Sequence, residues 1–213
     1  MKRIILSGCL VISSIFIFEI SAYSQNFKGF LLGGISTSQV SGDALSGFDK
    51  AGVIVGGGVV LPVSRNKKMM AGMEMYYIQK GSKMPSKLDQ GNASYYVLQL
   101  NYIEVPLYFK YAVTDRIQAY IGGAIGVLTK SKEESDESVP DGYPFNKFDI
   151  SGVCGIEYLF SEQWHVKLHG IQSLAPVRDL SGPSPYFFFE NGQYNSVIAF
   201  TINYYLKKEK KNE

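Results

Sequence analysis

Apolar and polar residues alternate one by one along several stretches of this chain, and a two-residue period allows few folds. In the last stretch one face carries Ile198, Phe200, Ile202, Tyr204 and Leu206, and the other carries Asn195, Val197, Ala199, Thr201 and Asn203. Successive side chains of a β-strand point to opposite sides of the sheet. The pattern therefore predicts a strand with an apolar face outside and a small or polar face inside, which is typical of a membrane-spanning barrel.

The same reasoning along the chain predicts eight strands with alternating long and short connections. The strands are expected near residues 27–40, 51–64, 69–81, 95–113, 116–130, 147–160, 163–176 and 194–206. The long connections are 41–50, 82–94, 131–146 and 180–193, and the short ones are 65–68, 114–115 and 161–162. Long loops at one end and short turns at the other are typical of outer-membrane barrels.

We therefore predict an all-β fold, an eight-stranded antiparallel up-and-down transmembrane β-barrel. A soluble sandwich has no reason to sort its connections by length. A lipocalin-like soluble barrel would invert the pattern, with an apolar interior and a polar exterior. After residue 25, glycine, charge or alternation interrupts every apolar stretch, so no spanning helix is expected. The chain length suits one domain, predicted over residues 25–213.

The N-terminus has the composition of a secretion signal, predicted over residues 1–24. Lys2 and Arg3 supply the positive charge, and an apolar segment runs from Ile4 to Phe18. Small residues at 22 and 24 suit cleavage, which would leave Gln25 as the first mature residue. The alternative is an N-terminal anchor, but the apolar segment is short for a span.

The two cysteines argue against lipidation and against an internal disulfide. Cys9 lies in a Leu-Ser-Gly-Cys sequence that resembles a lipoprotein box, but it precedes most of the apolar segment that it should follow. Removal of the signal would leave Cys154 as the only cysteine. One thiol forms no internal disulfide, so the exported protein must be held by hydrogen bonds.

Aromatic residues are abundant, at 14% of the chain, and cluster near the predicted strand ends. They are Tyr76, Tyr77, Tyr108, Tyr111, Tyr158, Phe160, Trp164, Tyr204 and Tyr205. This distribution predicts interfacial girdles. The net charge is only +2, and no basic stripe interleaves with the aromatics, so nucleic acid is not an expected partner.

The fourth predicted strand carries a specific motif. Residues 98–111 contain the core Tyr102-Ile103-Glu104-Val105-Pro106, followed by aliphatic residues and Lys110-Tyr111. This segment resembles the signature strand of the PorT family of outer-membrane β-barrel proteins. Glycines in the first predicted hairpin, including Gly33-Gly34, Gly42 and Gly52, resemble the same family. The likeness extends over essentially the whole mature chain, and the fourth strand is its most specific part.

The resemblance implies an eight-stranded barrel in the outer membrane of a Gram-negative bacterium. Since the founding member of the family takes part in protein secretion and surface motility, it also suggests a secretion role. The end of the chain differs from many outer-membrane barrels, which finish on an aromatic residue. Here a charged tail, residues 207–213, follows Leu206.

Several ionisable residues fall on the inward faces of the predicted strands. They are Glu74, Glu104, Lys110, Glu157, His165, Lys167 and His169. They could form a polar path for solutes or a paired plug. Eight strands enclose little more than their own side chains, which favours the plug. Strand order brings Glu157 near Lys167, and Glu74 near Glu104 or Lys110, so we expect these charges to be paired or hydrated.

Neither catalysis nor a metal site is predicted. Four residues of strand separate His165 from His169 by roughly 13 Å, too far to share one metal directly. No third partner completes an acid–base arrangement. The acidic fifth connection could bind divalent cations, but it lacks the ligand spacing of a calcium loop. No cofactor is expected.

The seventh connection contains a run of aromatic residues, Tyr186, Phe187, Phe188 and Phe189. They could bind a partner outside the cell, or they could belong to the outer girdle or to the start of the last strand. The expected partners are outer-membrane lipid and envelope or secretion-machinery proteins. The preferred function is a structural or interaction barrel. A narrow passive pore for small solutes is the alternative, and a lipid-modifying enzyme is more distant.

Overall fold

The computed structural model describes residues 27–42, 47–84, 96–135, 144–179 and 192–206. The predicted signal segment and the aromatic run at 186–189 lie outside these ranges. In the described part no segment forms a helix with the length and hydrophobicity needed to cross a bilayer.

Eight long strands and one short strand make up the described structure. They are β1 (Lys28–Ser41), β2 (Lys50–Pro62), β3 (Met69–Lys83), β4 (Tyr96–Ala112), β5 (Ile117–Ser135), β6 (Phe148–Leu159), β7 (Trp164–Ser173), β8 (Arg178–Asp179) and β9 (Gly192–Tyr205). The predicted bounds are confirmed to within two residues, except at the far ends of β5 and β7. The two-residue β8 was not predicted.

The long strands close into an antiparallel ring. Each pairs with the next in sequence from β1 to β7, β7 pairs with β9, and β9 returns to β1. The predicted eight-stranded antiparallel barrel is confirmed. The short β8 lies outside the ring order and pairs only with the start of β9. Closure gives each of the eight ring strands a hydrogen-bonded neighbour on both sides, as the hydrocarbon core of a bilayer requires.

The register of the ring fixes the tilt of its strands. Starting from Gln39 on β1, one can step from each residue to the residue directly opposite it on the next strand. After one full circuit of the ring this path returns to β1 at Gly29, which is offset by ten residues from the starting point. With about 3.3 Å per residue and about 4.8 Å between strands, this offset tilts the strands by about 40° from the barrel axis. A ring of this size encloses only enough space for its own side chains.

The three short connections between ring strands lie together at one end of the barrel, called here the short-turn end. They span residues 63–68, 113–116 and 160–163. The other connections meet at the opposite, long-loop end. In the first short turn Lys67 adopts a left-handed conformation with φ 57°, and Ser64 accepts a hydrogen bond from its amide at 2.9 Å.

The outer surface of the ring is apolar and its interior is mixed, which confirms the predicted alternation. Leu31, Phe109 and Ile121 are 59%, 63% and 69% exposed, although each lies within a paired strand. Nine acidic or basic side chains of the described strands lie instead buried on the inward faces. An exposed apolar surface of this kind would be unfavourable in water, but it is favourable in contact with the hydrocarbon chains of lipid.

Part of the predicted aromatic girdle is wrong. Tyr111, Phe160 and Trp164 are exposed on the outer surface near the short-turn end, and Trp164 packs against Tyr204 at 4.9 Å. The rings of three other tyrosines, Tyr76, Tyr108 and Tyr205, are buried inside the barrel. Their strand parity places them inward, so nearness to a strand end does not by itself identify a girdle residue.

Candidate functional site

Nine ionisable side chains are buried inside the described part of the ring. All seven residues singled out in the sequence, from Glu74 to His169, lie there, and none is more than 7% exposed. Lys80 and Asp149 join them and were missed. A signal for both existed, since Lys80 has the strand parity of Glu74 and Asp149 lies on the polar face of β6. Eight of the nine residues form two ion networks at different depths, and His169 belongs to neither.

The lower network, nearer the short-turn end, is built around Glu74 and Glu157. Lys167 on β7 forms an ion pair with Glu74 on β3. These strands are four positions apart in a ring of eight, so the pair joins opposite walls and crosses the lumen. Glu74 also accepts a hydrogen bond from Tyr108 at 2.7 Å. Gly72 lies opposite Tyr108 in the ladder, and the phenol ring occupies the space where a Cβ at residue 72 would lie.

Glu157 is the second centre of the lower network. Lys110 on β4 forms an ion pair with it, and Nδ1 of His165 lies 2.7 Å from its Oε1. The Tyr205 hydroxyl donates to the same carboxylate at 3.0 Å and lies 3.3 Å from Nζ of Lys110. The His165 and Tyr205 rings pack at 4.2 Å. Each carboxylate therefore meets a lysine and at least one further polar group.

Strand order correctly places Glu157 opposite Lys167, but both residues form their ion pairs elsewhere. Glu157 and Lys167 are directly opposed in the ladder, yet Glu157 pairs with Lys110 and Lys167 pairs with Glu74. Glu74 pairs with neither Glu104 nor Lys110. In a ring this narrow the long lysine side chains reach beyond the neighbouring strand. The crossed arrangement leaves both carboxylates with a cation, as burial of charge requires.

The upper network, nearer the long-loop end, centres on Lys80. Its ammonium lies 2.5 Å from Glu104 and 3.0 Å from Asp149, and 5.1 Å from the centre of the Tyr102 ring. Asn195 donates to Asp149 at 3.1 Å. Glu104 and Tyr102 belong to the signature-like strand. That strand also carries a bulge at Asn101 and Tyr102, where Thr129 donates to the Asn101 carbonyl at 2.9 Å.

His169 lies apart from the charged residues of either network. Its Nε2 contacts Oγ1 of Thr201 at 2.9 Å, and its ring meets Tyr120 edge-on at 5.9 Å. His165, four residues away, is bound instead to Glu157. Within the described ranges no three His, Cys, Asp or Glu residues are grouped so that they could hold a metal ion.

Apolar residues and one ion pair cover the long-loop end of the lumen. Leu98, Leu100 and Val177 are fully buried there. Val177 precedes β8, donates to the Gln193 carbonyl and accepts from the Asn146 amide, both at 2.8 Å. Arg178 then pairs with Glu133 on β5 at 3.0 Å. We call this segment, residues 176–179, the strap.

The described acidic residues of the fifth connection are bound to cationic side chains. Glu133 pairs with Arg178 and accepts from the Tyr96 hydroxyl at 2.8 Å. Glu134 pairs with Lys132. The remaining acidic residues proposed there, at positions 136, 137 and 141, lie outside the described residues. Glu133 therefore helps to hold the strap.

The short-turn end opens into a cavity of about 890 Å³, which we call the vestibule. Its floor is the lower network, through Lys110, His165 and Tyr205. Its inward wall is apolar and consists of Val60, Pro62, Met70 and Leu159. Lys28, Lys67 and Glu162 add charge to the lining. The lumen is thus covered at one end and concave at the other.

The chain belongs to the family described as outer membrane protein beta-barrel domain, whose model matches residues 23–179. It is therefore a small β-barrel of the bacterial outer membrane, and the predicted location is confirmed. In such barrels short turns face the periplasm and long loops face the outside of the cell. No curated protein matches the chain.

Solved structures with a similar fold include three small outer-membrane proteins. Ail of Yersinia pestis, in complex with the heparin analogue sucrose octasulfate, is 10% identical, with 84% of this chain and 99% of that chain covered and a TM-score of 0.48. Neisserial surface protein A is 8% identical, with 83% and 96% covered and a TM-score of 0.49. CarO of Acinetobacter baumannii is 11% identical, with 81% and 97% covered and a TM-score of 0.40.

Proposed function

We propose that this protein is an interaction barrel, closed to solutes, that serves protein secretion or another envelope process in the manner of the PorT family. The observation that carries the proposal is the ion pair between Lys167 and Glu74, which joins opposite walls of the lumen. A barrel whose central section is bridged by its own side chains acts on partners through its ends.

The lower network supports a closed lumen for an energetic reason. A solute that passes must separate Lys167 from Glu74, and Lys110 from Glu157, all of which are almost completely buried. Leaving one buried charge uncompensated by removing its partner typically costs about 3–5 kcal/mol, and separating the two partners of a pair would leave both charges uncompensated. Nearer the long-loop end, the upper network and the strap occupy the lumen at a second level.

Recording from planar bilayers tests closure. Purified protein, folded in detergent and shown by gel to migrate differently before and after boiling, should give no large steady currents. Unboiled protein keeps its closed hydrogen-bonded ring, so the gel shift shows that the protein used for recording is folded. Large, steady single-channel currents would overturn the proposal in favour of a narrow passive pore.

A deletion strain tests the secretion role. Loss of the gene should reduce the amount of secreted protein in the culture medium, and the wild-type gene in trans should restore it. Unchanged secretion would remove the PorT-like role and leave a structural role in the envelope. The predicted contact through Tyr186–Phe189 remains open to test in the same strain, with all four residues changed to serine.

A further inference from the structure

The vestibule combines three features of a peptide-binding site. It is concave, and its volume of about 890 Å³ falls in the usual range of ligand pockets. Its inward wall is apolar, and its charged lining holds three lysines, including Lys110 in the floor, against one glutamate, Glu162. Apolar walls with a few charged groups are how protein pockets obtain both affinity and orientation.

Two of the lining cations are available to a ligand. Lys110 is engaged by Glu157. Lys28 and Lys67 are exposed, and no carboxylate in the described part of the chain pairs with either. Arg65, Lys68 and Arg116 are exposed on the short turns beside the opening, against Asp115 and Glu162. The mouth therefore presents an excess of positive charge, which attracts an acidic ligand and speeds encounter.

The vestibule is held in shape by backbone and side-chain hydrogen bonds. Tyr205 donates through its amide to the Gln163 carbonyl at 2.7 Å, and Leu206 donates to Gly29 at 2.9 Å. Gln163 also donates to the Tyr204 hydroxyl at 3.0 Å, and Tyr205 stacks on Phe30 at 4.9 Å. A pocket formed in advance loses little entropy when a ligand binds.

We propose that the vestibule binds an acidic, partly apolar peptide segment of a periplasmic protein. The proposal rests on the interaction role proposed above and assigns partner binding to the short-turn end of the barrel. A peptide is favoured over a lipid because the cavity lies inside the strand ring, whereas bilayer lipid lies outside it. Carboxylates would meet Lys28 and Lys67 while apolar side chains cover the wall at Val60 and Met70.

Fluorescence anisotropy in neutral detergent tests the binding, with a labelled peptide of alternating glutamate and leucine as the probe. Wild-type protein should bind it, and added salt should weaken the complex. The double variant Lys28→Glu/Lys67→Asp should bind at least tenfold more weakly. Aspartate is chosen at 67 because it tolerates a left-handed conformation better than most residues.

The matched control is Lys130→Glu/Lys147→Asp, which makes the same change of charge on exposed lysines of the long-loop half. It should bind the probe within twofold of wild type, and both variants should keep the heat-dependent gel shift. Equal weakening by both variants, or no binding by wild type, would overturn the proposal. Displacement of the probe by phosphatidylglycerol, but not by phosphatidylcholine, would also overturn it, in favour of an anionic-lipid site.

The peptide-binding experiment and the bilayer recording test the two proposals independently. Large currents would remove the interaction role whatever the peptide does. Silent bilayers together with an unbound probe would leave the interaction role in place and remove only the vestibule as its binding site.

Discussion

At the scale of single residues, the buried ion pairs show what a two-residue period determines and what it does not. Parity placed Glu157 and Lys167 on the inward face, and both are there. It could not choose their partners, because a lysine in a narrow ring reaches several strands. The partner is set by the geometry of the whole lumen, which no stretch of sequence contains.

The pair between Lys110 and Glu157 should be energetically coupled. We expect Lys110→Met and Glu157→Gln each to lower the free energy of unfolding, because each leaves a buried charge without its partner. The double variant should recover part of the loss, with a coupling energy on the order of 1–3 kcal/mol. Denaturant unfolding in lipid or detergent measures all three variants.

A second cycle provides the control for the first. Lys80 belongs to the upper network and contacts Glu104 and Asp149. Lys80→Met combined with Glu157→Gln should therefore be additive to within about 0.5 kcal/mol. Strict additivity in the Lys110–Glu157 cycle would contradict the direct contact seen here.

At the scale of elements, the ring strands were predictable and the strap was not. Several ring strands, such as β6 and β9, alternate apolar residues with small or polar ones at a period of two over ten or more residues, which gives a strong signal. The strap contains a two-residue strand and depends on an arginine whose partner, Glu133, lies 45 positions away. The sequence marks neither the pairing nor the burial of Val177.

The strap should loosen when its ion pair is removed. Arg178→Met deletes the contact with Glu133 and the approach of the guanidinium to the Phe145 ring at 4.1 Å. We expect faster hydrogen exchange at the Val177 and Asn146 amides, on the order of tenfold, since hydrogen bonds to charged groups contribute about 1.5–3 kcal/mol. Mass spectrometry or NMR on the folded protein measures the exchange.

The control for the strap is Lys130→Met, which removes an exposed lysine from β5 without touching Arg178. Exchange at Val177 should then match wild type. If Arg178→Met also left exchange unchanged, the apolar cover at Leu98 and Leu100, rather than the ion pair, would hold the strap.

At the scale of the whole molecule, the outer surface defines the position of the barrel in the bilayer. Trp164 is the only tryptophan of the chain and is half exposed on the outer surface at the short-turn end. Aromatic side chains at such positions lie at the level of the lipid headgroups. The residue is therefore a natural depth probe.

Depth-dependent quenching should place Trp164 near the bilayer surface. Lipids brominated near the headgroup should quench its fluorescence more than lipids brominated near the chain end. The matched variant Trp164→Phe/Phe200→Trp moves the indole to an outward position in the middle of β9, where Phe200 is 46% exposed. Its fluorescence should show the opposite order. The same order in both proteins would contradict the membrane position inferred from the apolar band.

The ion pair across the lumen also has a consequence for the lifetime of the folded state. Lys167 and Glu74 are 93 positions apart and belong to opposite walls, so they meet only when the strands between them have curled into the barrel wall. Closing such a loop carries an entropy penalty before any contact compensates for it. We therefore expect the pair to form late in folding and to stabilise the native state more than the folding transition state. Interactions of that kind act mainly on the unfolding rate, so we expect the crossed charges to lengthen the lifetime of the folded, inserted barrel.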